Sequence, residues 1–212
     1  MEQYYRNFIL IDHPLVNRDV TVLRDSRTTP ETFRAAISRL SNIIAVELSK
    51  HFEISEVEVK TPLESTKGYK LAQEVVIVPV LRAGLGMVNG FLQIMPDAKV
   101  GHIGLERDEK TLEPVEYYYK TPDDLAKHEI ILVDPMLATG GSASTAISFL
   151  KKRGAGDIIF ACIVAAPEGI NRINSDHPDV KIFGAALDRE LNAKGYILPG
   201  LGDAGDRTFG TL

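Results

Sequence analysis

Short apolar runs at residues 75–80, 130–133, 158–166 and 180–187 alternate with helical patterns at residues 86–95, 142–152 and 168–175. Strand and helix alternating at this spacing imply βαβ units. Runs that are apolar at successive positions rather than at every second one belong to strands buried on both faces, and such strands build a parallel sheet covered by helices on each side. The expected class is therefore α/β, a doubly wound parallel sheet flanked by helices. A chain of 212 residues, 44% hydrophobic, can enclose one sizeable core, and a single domain over residues 1–212 is expected.

Thr29-Pro30-Glu31 has the form of a helix start, with Thr29 as N-cap and Pro30 at the first helical position. Phe33, Ile37, Leu40, Ile44 and Leu48 then recur at steps of three and four, placing them on one buried face. Residues 100–106 and 114–119, joined by the charged stretch Arg107-Asp108-Glu109-Lys110, predict a two-stranded antiparallel arm spanning about residues 100–120. Residues 192–212 carry five glycines with weak periodicity and predict a structured loop, the kind of segment that often carries function.

Charge and cysteine usage narrow the classes. A net charge of -5 and a pI near 5.6 argue against nucleic acid as a partner. Cys162 is the single cysteine and lies inside an apolar run, so it reads as a small buried hydrophobe with no intramolecular disulfide open to it. No run of about eighteen apolar residues marks a membrane span, and the first ten residues lack a signal-peptide pattern, so a cytoplasmic protein is expected. His13, His51, His102, His128 and His177 are scattered without metal-ligand spacing, and none is assigned a catalytic role.

The turn "VDPMLATGGS", residues 133–142, falls between an apolar strand and a helix. In an open parallel sheet such a turn points backbone N–H groups of the next helix at the ligand crevice, which suits an anion. Gly140 and Gly141 let the main chain approach phosphate oxygens, while Thr139 and Ser142 add hydroxyl donors. Asp134 would repel a phosphate beside it but can accept from two vicinal sugar hydroxyls, so the combination describes a ribose 5-phosphate. The alternative is an ordinary strand-to-helix turn in which Asp134 and Ser142 only cap the backbone. A second glycine turn, "VLRAGLG", follows the run at 75–80. There Gly84 and Gly86 permit unusual backbone angles, and Arg82 supplies a forked cation suited to phosphate oxygens.

The stretch "ILVDPMLATGGSASTAI" resembles the phosphoribosyl-diphosphate signature of type I phosphoribosyltransferases, and its Asp-Pro-Met-Leu-Ala-Thr-Gly-Gly-Ser form resembles the uracil branch of that family. "DHPLVNRDVTVLRD", "PVLRAGLGM", "RDEKTLEPVEYY" and "GYILPGLGDAGDRTFGT" are similar to further segments of that branch, in its order and over essentially the whole chain. Most of the wider family carries two successive acidic residues where this chain has Asp134 followed by Pro135.

The resemblance implies a type I phosphoribosyltransferase-like fold with an antiparallel β-arm and a C-terminal base-binding loop. It also implies an activity, transfer of the 5-phosphoribosyl group from phosphoribosyl diphosphate to uracil, giving uridine monophosphate and diphosphate, as in pyrimidine salvage. By the same resemblance Arg82, Arg107, Asp134, Pro135, Met136, Leu137, Ala138, Thr139, Gly140, Gly141, Ser142 and Asp203 bind phosphoribosyl diphosphate. Arg82, Arg107, Asp134 and Asp203 are its catalytic set, and Ile197, Gly202, Asp203 and Ala204 meet uracil. Magnesium is implied as a cofactor held mainly by substrate oxygens and water, with no direct protein ligand assigned. The resemblance further implies a homo-oligomer and GTP as an effector. Solvated-turn roles for Arg82 and Arg107, and an Asx-turn role for Asp203, stay open beside these. The rival functions are a phosphoribosyltransferase for another base and an RNA-binding regulator of the same fold.

Overall fold

The computed structural model describes residues 7–107 and 114–211. Strand β1 (Phe8–Leu10) leads into helices α1 (Pro14–Arg24) and α2 (Pro30–Ser49), then a hairpin of β2 (Ile54–Lys60) and β3 (Ser65–Leu71). Next come β4 (Glu74–Leu81), α3 (Leu85–Ile94), β5 (Lys99–Val100), β6 (His102–Arg107) and β7 (Pro114–Lys120). They are followed by β8 (His128–Val133), β9 (Met136–Leu137), α4 (Gly141–Lys152), β10 (Ile158–Ala165), α5 (Pro167–Asp176) and β11 (Lys181–Leu187). Short strands β12 (Glu190–Leu191) and β13 (Ile197–Leu198) and helix α6 (Ala204–Phe209) complete the described elements.

The main sheet runs β1-β11-β10-β8-β4-β6-β7, with β5 beside β4 and β9 beside β10. Every pairing in it is parallel except β6 with β7. Alternate side chains of each central strand enter different cores, as a pleat of period two requires. Ile77, Val133 and Ala161 pack with Leu23, Ile37 and Met87 of α1, α2 and α3, whereas Val78, Leu132 and Phe160 pack with Ile147 and Leu150 of α4 and Ile170 of α5. Both faces are covered, which is why the strands read as unbroken apolar runs. Cys162 is fully buried in the second core, and burial pushes its thiol pKa up.

The expected α2 start is present: Thr29 Oγ1 accepts from the Thr32 N–H at 3.3 Å. The five periodic residues from Phe33 to Leu48 are all fully buried. The arm also forms, and it is an extension of the sheet edge, since Ile103 of β6 pairs with Val80 of β4 on one side and with Tyr119 of β7 on the other. Its charged tip, including Asp108, Glu109 and Lys110, lies outside the described residues.

Some elements depart from the expectation. Helix α1 buries Val16, Val20 and Leu23, but the same face carries Asp19. Burial raises that carboxyl's pKa, but bonds from Arg39 (2.9 and 2.8 Å) and Arg18 outweigh it and hold the pKa below the usual value. Residues 192–212 are more regular than a loop: β13 pairs antiparallel with β12, and α6 follows. A two-residue strand and a six-residue helix are too short to impress a period on the sequence. No helix among the described residues is long and apolar enough to cross a membrane.

Candidate active site

Strands β4 and β8 lie side by side, in register from Glu74 opposite His128 to Pro79 opposite Val133. The chain leaves β4 towards β6 and leaves β8 towards β10, on opposite sides, so a topological switch point lies between them. The crevice beyond the carboxyl ends of two such strands is where ligands bind in open α/β sheets. Both glycine turns therefore open into one crevice. Gly84 is needed there for a different reason from the expected one: its φ of -57° is ordinary, but a Cβ would sit 2.5 Å from the Val133 carbonyl oxygen. The two turns are packed backbone to backbone, and Leu81–Arg82 is a cis peptide within the first.

In the β8 turn, the Asp134 N–H donates to the Ala161 carbonyl at 3.1 Å, while Oδ1 accepts from the Met136 N–H at 3.2 Å. The carboxyl is half-buried; desolvation pushes its pKa up to about 7, against the smaller pull of that bond. The first half of the motif belongs to the sheet. Pro135 O accepts from Ile163 and Val164 N–H groups at 3.1 and 3.0 Å, and Leu137 O accepts from Ala166 N–H at 2.9 Å. The second half is free to serve a ligand. Gly140 is the N-cap of α4 with φ +77°, where only glycine is relaxed, and it offers no side-chain cap to the first-turn N–H groups. No acidic residue occupies that turn, and Thr139 and Ser142 are exposed beside it. An uncapped helix N-terminus of this form suits an anion, and it lies where the sequence analysis places one.

The C-terminal segment closes the crevice. A cavity of about 210 Å³ is lined by Ala83, Met136, Ala138, Ile197, Gly202, Asp203 and Ala204 among others, so residues from both turns and from the C-terminal segment meet around one space. Asp203 caps α6, its Oδ1 accepting from the Asp206 N–H at 2.9 Å, as the Asx reading of it allows. Arg82 Nη2 donates to Asp206 Oδ1 at 2.9 Å. Asp206 was not singled out by sequence reasoning, since nothing in its local pattern indicates an arginine 124 residues away. Arg107 is the last residue of β6, its backbone opposite Pro114. A roomier groove of about 490 Å³ between α2, α3 and α6 is lined by Gly86 of the second glycine turn but by none of the residues expected to touch substrate.

Comparison with known proteins identifies the family. Residues 10–211 match the family model described as uracil phosphoribosyltransferase. A uracil phosphoribosyltransferase of Dictyoglomus thermophilum is 56% identical over 204 residues, covering 96% of this chain and 99% of the relative. One from Salinibacter ruber is 51% identical over 205 residues, covering 97% and 98%. Among solved structures, a protein from Aquifex aeolicus superposes with a TM-score of 0.89 at 38% identity, covering 95% of this chain and 97% of that one. Adenine phosphoribosyl transferase from Trypanosoma brucei, at 13% identity and a TM-score of 0.60 over 88% of this chain and 86% of that one, shares the fold. A strand-switch crevice carrying the phosphoribosyl signature, together with a match over nearly the full length, places the chain in the uracil phosphoribosyltransferase family.

Proposed function

We propose that the chain acts as one phosphoribosyltransferase domain that joins uracil to phosphoribosyl diphosphate, releasing uridine monophosphate and diphosphate. The observation that carries this reading is the shared cavity, where Met136 and Ala138 of the sugar-phosphate turn face Ile197, Gly202 and Ala204 of the base loop. A phosphate in the α4 N-terminal turn at Thr139–Ser142, with ribose hydroxyls on Asp134, would leave the anomeric carbon directed at a base in that cavity. Uracil N1 then bonds to the anomeric carbon as the bond to the diphosphate oxygen breaks, its proton passing to water or to the diphosphate, and negative charge gathers on the departing group. Arg82 and Arg107 stabilise that charge, each through a planar fork that matches phosphate oxygens.

Magnesium fits the donors here. Asp203 presents an exposed carboxylate at the cavity, a hard oxygen ligand. No group of three or more His, Cys, Asp or Glu side chains suited to a metal converges among the described residues, so substrate oxygens and water would complete the ion's shell. When bound it would neutralise charge on the diphosphate.

A homo-oligomer is supported by the β2–β3 hairpin, which among the described residues pairs with no other strand and exposes Ile54, Leu63 and Tyr69. A two-stranded ribbon is marginal by itself, and a second copy would cover it. GTP as effector and a cytoplasmic location rest on the family resemblance. The deciding experiment follows uridine monophosphate formed by purified protein from uracil and phosphoribosyl diphosphate, with cytosine and xanthine in competition. Turnover of uracil above the other bases is expected. No turnover together with salt-sensitive RNA binding would replace this reading with the regulatory one.

A further inference from the structure

We infer that Asp188 and Arg24 form a clamp that positions the base-reading loop and so sets base selectivity without touching the base. The inference rests on the assignment of uracil to the Ile197–Ala204 segment made above.

Asp188 follows β11 and is buried, its N–H donating to Ala165 O at 2.8 Å, so the carboxylate is fixed to the sheet. Arg24, the last residue of α1, grips it with both arms of the guanidinium: Nη1 donates to Oδ2 at 2.9 Å and Nη2 to Oδ1 at 2.5 Å. The same pair holds the loop backbone. Arg24 Nη1 also donates to Gly200 O at 2.9 Å, and the Gly200 N–H donates to Asp188 Oδ2 at 2.8 Å. Both polar groups of one loop residue are thus tied to one part-buried ion pair.

The next residue is held from the same helix end. Arg207 Nη1 donates to Leu201 O at 2.7 Å and to Leu23 O, and Nη2 donates to Asp25 O at 2.6 Å. Its guanidinium lies 4.4 Å from the Phe33 ring centroid. The C-terminal carbonyls of α1 and the carbonyls of residues 200 and 201 are therefore gathered by two arginines, and the cavity-lining stretch Gly202–Ala204 starts from a fixed peptide.

Arg24, Asp188 and Arg207 do not line the cavity. What they supply is stiffness where the chain has little of its own, since Gly200 and Gly202 both have positive φ, +63° and +80°, in a segment rich in glycine. Main-chain donors and acceptors distinguish one base edge from another only when they cannot rotate to suit either. Asp188→Asn removes the charge and turns one acceptor into a donor facing the guanidinium, which loosens Gly200 from α1 and β11 together.

The test is steady-state kinetics and base competition with the full-length protein. Asp188→Asn is expected to raise the KM for uracil about tenfold, the size of one well-made hydrogen bond. The KM for phosphoribosyl diphosphate should stay within about threefold, and preference for uracil over cytosine should fall by about tenfold or more. Arg24→Lys, which keeps the charge but not the fork, should move the same quantities in the same direction by less, and it serves if Asp188→Asn fails to fold. A purely structural role would lower the active fraction and leave both KM and preference alone. Folded variants with uracil KM and uracil preference within twofold of the parent, or with both KM values raised equally, would overturn the clamp. Parent protein that turns over no uracil would overturn the functional assignment, and the clamp with it.

Discussion

Arg82 is not free in the crevice: its Nη2 donates to Asp206 Oδ1 at 2.9 Å, and Nη1 reaches Thr211 Oγ1 at 3.3 Å. Thr211 in turn donates to the same Asp206 oxygen at 2.7 Å, which links the turn after β4 to the C-terminal end of α6. Together Thr211 and Arg82 hold the Asp206 carboxyl below its usual pKa range. The Arg82 and Asp206 side chains are 57% and 31% exposed, and an ion pair so open to water adds little stability. It directs the guanidinium without locking it, so a diphosphate can replace the carboxylate as partner at small cost.

Two substitutions should therefore behave very differently. Arg82→Lys keeps the charge and loses the fork, and kcat/KM for phosphoribosyl diphosphate is expected to fall about tenfold to a hundredfold. Asp206→Asn should change the same parameter by less than about threefold. Parent-like kinetics in Arg82→Lys would return the residue to a solvated turn.

Asp134 is expected to link pH to both activity and stability. Its pKa of about 7 lies above the ordinary 3.8, so the folded protein binds this proton more tightly than the unfolded chain does. Stability contributed by the protonated form is lost as pH rises between those two values, and above about 7 the folded state carries the full cost of a desolvated carboxylate. Asp134→Asn should consequently be the more stable protein at pH 8, by up to a few kcal/mol, with the advantage vanishing towards pH 4; melting temperatures across that range measure it. The same variant should lose roughly 1 to 3 kcal/mol of transition-state stabilisation with phosphoribosyl diphosphate. In the parent, kcat/KM for that substrate should rise with pH through about 7 as the carboxylate forms, and the variant should lack this limb.

Gly84→Ala would place a Cβ within 2.5 to 2.8 Å of Val133 O, Val80 O and Val80 N, all backbone atoms that cannot step aside. A loss of about 1 to 3 kcal/mol in chemical denaturation is expected, as for other overpacked sites, with binding of phosphoribosyl diphosphate weakened in the protein that folds. At Gly86 the nearest contact is Thr208 Cγ2 at 3.3 Å, the tip of a side chain, and Gly86→Ala should cost clearly less.

These relationships mark how far the sequence could be read. The central strands were legible because both of their faces are buried, and α2 because Phe33 to Leu48 repeat at helical spacing without interruption. Helix α1 was obscured by Asp19, a carboxylate set into the buried face and neutralised by Arg39 from the next helix. The hairpin β2–β3 has alternating residues but little buried surface; Leu63 at its turn is 96% exposed, so its pattern carries no contrast between inside and outside. Asp134 and the Thr139–Ser142 cradle follow one another in the chain and could be read as a unit. Arg24 and Asp188 are 164 residues apart and Arg82 and Asp206 are 124 apart, and no local pattern links the two members of either pair, so only the folded arrangement pairs them.

Uracil should be selected over cytosine mainly by main-chain groups of the Tyr196–Ala204 segment. Uracil presents an N3–H donor beside the O4 acceptor, whereas neutral cytosine presents an N3 acceptor beside an amino donor, so a fixed peptide segment offering one carbonyl and one N–H satisfies only uracil. Pro199 has no N–H, which leaves the donors to neighbours such as Gly202 and Ala204 on the cavity wall. Cytosine would leave its own edge and the peptide groups unpaired, and discrimination on the order of 10⁴ is expected from sites of this kind. Side chains contribute little: Tyr196 is 49% exposed, and its backbone is held through Asn192, whose N–H donates to Tyr196 O at 2.8 Å and whose Oδ1 accepts from Tyr196 N–H at 3.0 Å. Tyr196→Ala should accordingly keep the preference for uracil within about threefold of the parent. If competition assays show cytosine used within about tenfold of uracil by the parent protein, or Tyr196→Ala abolishing the preference with the loop intact, the base is read by side chains and the main-chain account is wrong.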